Sequence, residues 1–130
     1  MNKKIIEIRK PTQKQTVAAI KSGDFSEVEK IEDAARQEAA KVFLAVASGS
    51  VPLIWYDLPP VRCQSGAVSV MRYALHRSTK QSGFLQLSCM ELKNGQIIPT
   101  SDRQYNVSDA GFSEFFRDLP RSVNANFLEQ

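Results

Sequence analysis

Histidine occurs once in these 130 residues, cysteine twice, and glycine and proline six times each. His76, Cys63 and Cys89 cannot complete a four-ligand zinc site without carboxylates, and the chain has no CxxC pair. The two cysteines read as reduced thiols rather than a structural bridge. No GxSxG elbow surrounds a serine, and neither cysteine stands in a nucleophile signature. Phosphate-cradling GxxxxGK[ST] and GxGxxG loops are absent. Glu29 and Asp33 form a carboxylate pair, but they read as the solvated acidic start of a helix, and no acidic cluster has EF-hand spacing. The expectation is therefore a protein without catalytic, metal or cofactor site. No apolar run approaches the ~18 residues of a membrane span. Met1-Asn2-Lys3-Lys4 is followed by no signal-type apolar stretch. A soluble, cytoplasmic chain with no membrane partner is expected, and no internal repeat is visible.

The sequence does contain ordinary globular material. Hydrophobic residues make up 42% and charged residues 24%, and the net charge is +3. This length and composition suit one domain that needs no disulfide. The positive excess falls between residues 49 and 106, in Arg62, Arg72, Arg77, Lys80, Lys93 and Arg103 against Asp57, Glu91 and Asp102.

Residues 1–10, with Ile5, Ile6 and Ile8 among basic residues, read either as a short edge strand or as a frayed arm. Pro11-Thr12 opens a helix that Gly23 stops. Ser26-Glu27-Val28-Glu29 reads as a capping box for a second, long helix. Its face is Val28, Ile31, Ala35, Ala39, Val42 and Val46, at steps of three and four. The near-continuous apolar run Val42–Ala47 predicts burial on more than one side. Strands follow at 51–56, 67–78, 84–93 and 96–107, the last two joined by Asn94-Gly95, a type I′ hairpin signal. Pro99 pushes the last strand toward a sheet edge or a bulge. Ser108 caps a final helix with Phe112, Phe115, Phe116 and Leu119 on one face, and Pro120 stops it. Residues 121–130 read as a loose tail whose Phe127-Leu128 could dock on another surface. The fold class is thus α+β: N-terminal helices over 11–48 including one long core helix, an antiparallel β-meander of three to four strands within 51–107, and a C-terminal helix over 108–119. Residues 1–120 form the domain.

A two-residue turn at Asn94-Gly95 would set Gln86 opposite Arg103 and Phe84 opposite Tyr105. A five-residue loop at Thr79–Gly83 adds Arg72 and His76 to the same face, with Tyr73, Leu75, Leu85, Leu87 and Cys89 on the other. Arg72, His76, Arg77, Lys80, Phe84, Gln86, Arg103 and Tyr105 are then candidates for holding single-stranded DNA or RNA, because bases stack on aromatic rings while cations track phosphates. Equally, a polar sheet face can be merely solvated, with Phe84 and Tyr105 an ordinary cross-strand pair.

The run Met71–Arg77, a turn, Gly83–Ser88, then Pro99–Arg103, Val107-Ser108 and the Phe112–Leu119 helix resembles the single-stranded-DNA-binding transcriptional coactivator, Pur-alpha and Whirly group over residues 66–120. That resemblance implies a curved antiparallel sheet backed by a helix, homodimers, and single strands held by basic and aromatic sheet residues, here Arg72, Phe84, Arg103 and Tyr105. Asp102-Arg103-Gln104-Tyr105-Asn106 departs from the group's basic, glycine-containing approach to the last strand. The functional expectation is a non-enzymatic binding protein for single-stranded nucleic acid. The alternative is a protein–protein adaptor, inhibitor or chaperone-like subunit, using the apolar helix or a surface around Trp55, Tyr56 and Leu58.

Overall fold

The computed structural model describes residues 2–129. One antiparallel sheet of seven strands runs through the molecule: β1 (Asn2–Arg9), β2 (Leu53–Asp57), β3 (Val61–Arg62), β4 (Val68–Arg77), β5 (Phe84–Lys93), β6 (Gln96–Asn106) and β7 (Ser122–Glu129). The spatial order is β1-β7-β2-β4-β5-β6, with β3 paired to the free end of β4. Helices α1 (Gln13–Ser22), α2 (Ser26–Ala47) and α3 (Asp109–Asp118) supply the remaining elements.

The α+β class and the β4-β5-β6 meander agree with the sequence reading, but the sheet has seven strands rather than three or four. Residues 1–10 resolve toward a strand: β1 is an edge strand over Asn2–Arg9. The expected loose tail is β7, which lies between β1 and β2 and pairs with β1 along its whole length, from Asn2 opposite Glu129 to Arg9 opposite Ser122. Val123 and Ala125 point into the core from it. The alternation Val123, Ala125, Phe127 is a strand signal, but its partner strand is 113–127 residues upstream, beyond the reach of local periodicity.

Helix α1 starts at the expected Pro11-Thr12 entry, but the start of α2 differs from expectation. Thr12 and Gln15 form the reciprocal capping box, with Gln15 N–H donating to Thr12 Oγ1 at 3.1 Å and Thr12 N–H to Gln15 Oε1 at 2.9 Å. Ser26 forms no such box with Glu29. It is already inside α2, and its amide and hydroxyl both donate to Asp24 Oδ1. Gly23 closes α1 in the left-handed region, as expected.

Helix α2 lays Ala35, Ala39, Val42, Phe43 and Val46 on the sheet, while Leu44 in the same apolar run faces solvent. Helix α3 adds Phe115 and Phe116, and Phe43 packs edge-on to Phe112 and against Phe115. The sheet contributes Ile8, Ile54, Leu75, Leu85, Leu87, Tyr105 and Val123 to this core. These positions fall on one side of the sheet by alternation. Among the described residues no helix covers the other side.

Candidate binding surfaces

The registers of β4, β5 and β6 decide where each candidate residue points. Across β4 and β5, His76 lies opposite Gln86 and Arg72 opposite Met90, as the five-residue loop predicted. Asn94 and Gly95 both take positive φ, so the tight turn also forms. The expected β5–β6 register holds only near that turn, from Lys93 opposite Gln96 to Met90 opposite Pro99. Cys89 then faces Ser101, leaving Thr100 as an extra residue whose hydroxyl donates to the Cys89 carbonyl at 3.1 Å. Beyond this bulge Gln86 faces Gln104 and Phe84 faces Asn106. Because alternation has period two, the one-residue slip moves Arg103 and Tyr105 to the helix-bearing side.

The eight candidates are therefore not one surface. Arg72, His76, Phe84 and Gln86 lie on the open face. Arg72 is held by Asp57 in a two-point ion pair, Nε to Oδ1 at 2.7 Å and Nη2 to Oδ2 at 2.9 Å, which raises its pKa. His76 Nδ1 sits 2.8 Å from the Arg77 carbonyl, an acceptor only, so this nitrogen carries a hydrogen, and Nε2 shares a 3.0 Å hydrogen bond with Ser88 Oγ. Gln86 is buried beneath its neighbours, and its Nε2 donates to Asp102. Lys80, in the β4–β5 loop, pairs with Asp102 at 2.8 Å. Arg77 lies on the helix-bearing side, packed so closely over Gly49 that a Cβ there would collide with its guanidinium.

Tyr105 is buried, and its hydroxyl donates to Asp118 Oδ2 at 2.7 Å, the atom that also accepts from Arg103 Nη1 at 2.7 Å. Burial raises the Tyr105 pKa far above the ordinary phenol value, so it stays a donor. Burial alone would push the Asp118 carboxyl up, but the Tyr105 hydroxyl, Arg103 and Arg117 outweigh it and hold Asp118 below its ordinary 3.8. The stabilisation is thus fully present above pH 3.8 and is lost as pH falls through the lower, folded-state value. We expect Asp118→Asn to cost about 1–2 kcal/mol at pH 7. In thermal unfolding followed across pH, the gap to the native protein should narrow only below that carboxylate range. A gap that stays constant down to the acid limit would refute the charge-assisted account. Asp118 was missed in the sequence although a signal existed: an acid in the last turn of a helix opposes the dipole, and such a mismatch asks for a partner.

Lys10 sits beside this network and closes α3 by donating from Nζ to the carbonyls of Phe116 and Leu119 at 2.5 and 2.6 Å. Its burial lowers the ammonium pKa, partly offset by Glu32. Lys10 and Arg36 both pack on the Phe116 ring, at 4.6 and 4.5 Å from its centre.

The open face itself is markedly apolar. Ile5, Leu53, Val68, Ile97 and Leu128 point outward from it, each 39–67% exposed. Trp55, opposite Ala74 on one side and Asn126 on the other, neighbours Ile5, Leu53 and Leu128. The row Val70, Leu92, Ile97 extends the patch across β4, β5 and β6. Tyr56, by contrast, turns into the core. Cys63 and Cys89 are both free thiols, and no cluster of three or more metal-ligating side chains occurs among the described residues. No helix there is long and apolar enough to cross a membrane. Comparison with family models, curated proteins and solved structures finds no match for this chain.

Proposed function

We propose that this is a non-enzymatic binding protein that works through the open face of its sheet, and that the face docks a protein surface, in the first instance a second copy of this chain. The observation that carries the reading is the set of exposed apolar side chains on this face, Ile5, Leu53 and Leu128 beside Trp55 and Val68 and Ile97 at the other end of the sheet. Patches of this kind mark interaction sites, because leaving them in water costs ~25 cal/mol per Å² of apolar area. Charge supports a copy of the same chain. Arg9 stands beside Glu7, Arg72 beside Asp57 and Lys80 beside Asp102, so most of the charge on the face is neutralised locally, with Lys3 and Arg62 at its margins left over. Size supports it too. The six strands in line, of five to eleven residues each, span roughly 800 Å² at ~4.8 Å between strands and ~3.3 Å per residue, about one side of a standard interface.

The same pairing weakens the single-stranded nucleic-acid reading. The cations nearest His76 and Phe84 are already engaged by carboxylates, and Arg103 and Tyr105 face the other way.

The oligomeric state tests the proposal. At tens of micromolar the native chain should sediment as a dimer, and its single tryptophan should emit further to the blue than in dilute solution. Trp55→Glu and Leu92→Glu should each raise the dissociation constant at least ~100-fold, about 2.7 kcal/mol, with the far-UV spectrum retained. A chain still monomeric near ~1 mM sinks this reading. Salt-sensitive binding of a ~20-nucleotide single strand would then restore the nucleic-acid one.

A further inference from the structure

The helix-bearing side of the sheet holds a separate cleft of about 320 Å³ beside the end of α3. Tyr56, Tyr73 and Leu87 wall it from the sheet, Pro120 closes it beyond α3, and Ser101 and Arg103 line it along β6. The Tyr56 and Tyr73 rings are stacked at 5.1 Å and 11°, giving the cleft a flat aromatic wall. That volume suits a body of one or two rings.

The polar groups of this cleft point to the kind of ligand. Its carboxylate, Asp118, already accepts from three donors: the Tyr105 hydroxyl, Arg103 and, at 3.4 Å, Arg117. What remains uncommitted is part of one guanidinium, which can only donate, and hydroxyls that can donate or accept. Tyr56 is only 6% exposed, yet its hydroxyl has no hydrogen-bond partner among the described residues. The Ser101 hydroxyl and the other N–H groups of Arg103 are likewise free, and the Arg103 side chain is 63% exposed at the mouth. Asp118 is shared by two guanidiniums, Arg103 lining this cleft and Arg117 lining the neighbouring one, so the two clefts together carry net positive charge. Lys10, Arg36 and Arg121 against Glu32 line the neighbouring cleft and extend that field.

We propose that this cleft binds a small planar carboxylate, its ring against Tyr73, Leu87 and Pro120 and its carboxylate accepting from the Tyr56 hydroxyl and the Arg103 guanidinium. A ligand that brings acceptors and negative charge suits every free group of the cleft, the donor-only guanidinium included, whereas a cationic one is repelled by Arg103. The proposal is independent of the Trp55 face, which lies on the other side of the sheet.

Indole-3-acetate and benzoate are the probes, with indole-3-acetamide and benzamide as neutral counterparts, titrated into the full chain and followed by amide chemical shifts. At least one acid should bind ~10-fold or more tighter than its amide and move the amides of Tyr73, Ser101 and Asp118. Arg103→Gln should erase that preference, Tyr56→Phe should weaken acid binding about 5-fold, and Trp55→Glu should leave it unchanged. No shifts at about 10 mM of either acid, equal binding of acid and amide, or an acid preference that survives Arg103→Gln would each overturn it.

Discussion

A chain ending at Pro120 is expected not to fold. Removing residues 121–130 takes Val123 and Ala125 out of the core and strips cover from Ile8 and Phe127's neighbours. Burying a Val or Phe side chain contributes ~1.5–3 kcal/mol, so these contacts alone approach ~5 kcal/mol. The larger loss is topological. Strand β7 is the link between β1 and β2, and β1 has no other strand to pair with. Eight paired positions disappear and β1 detaches with them. Set against a typical stability of ~5–15 kcal/mol, that is enough to abolish the native state. The truncated chain should show collapsed amide dispersion and no cooperative thermal transition. A cooperative transition within about 5 °C of the full chain would mean that β7 is not part of the folded sheet.

The second large effect has a sign that helix propensity gets wrong. Gly111 lies inside α3 and does not need positive φ, so an Ala there should stabilise the helix by up to ~1 kcal/mol on propensity alone. Its surroundings forbid it. A Cβ on Gly111 would land on the backbone carbonyl of Asn106, where β6 ends and the chain turns into the helix. The obstruction is backbone, so no rotamer change relieves it. The Ser108 hydroxyl accepts from the Gly111 amide, which pins this first turn against the strand. We expect Gly111→Ala to cost roughly 3–5 kcal/mol, a fall in melting temperature of about 10–20 °C, because α3 must lift away and loosen Phe115 and Phe116. A neutral or stabilising result would show that α3 docks elsewhere.

These two cases mark the boundary of what was legible in the residues. The long helix, the Asn94-Gly95 hairpin and the aromatic face of α3 each come from signals within a few residues, and each is present. The Val42–Ala47 run did not separate buried Phe43 from exposed Leu44, because neither residue type reveals which side the sheet takes. For the candidate surface, the reading of β4 and β5 placed Arg72, His76 and Gln86 correctly. It failed at β6 over a single residue. Pro99 hinted at a bulge, but not at which position the extra residue would occupy. With Thr100 left out of the ladder, Arg103 and Tyr105 exchanged the open face for the core and the Asp118 network.

By itself, then, the order of residues determined the local pieces: where helices begin and end, which turns are tight, and which side chains alternate. Those are effects of caps, φ preference and periodicity, all acting over a few residues. The tertiary structure alone decided the pairing of β1 with β7, the bulge in β6, the approach of α3 to Asn106, and therefore which face of the sheet stays open. Each of these is settled by burial and hydrogen bonding between segments far apart in the chain, where the competing registers differ by one residue and only the assembled core selects between them.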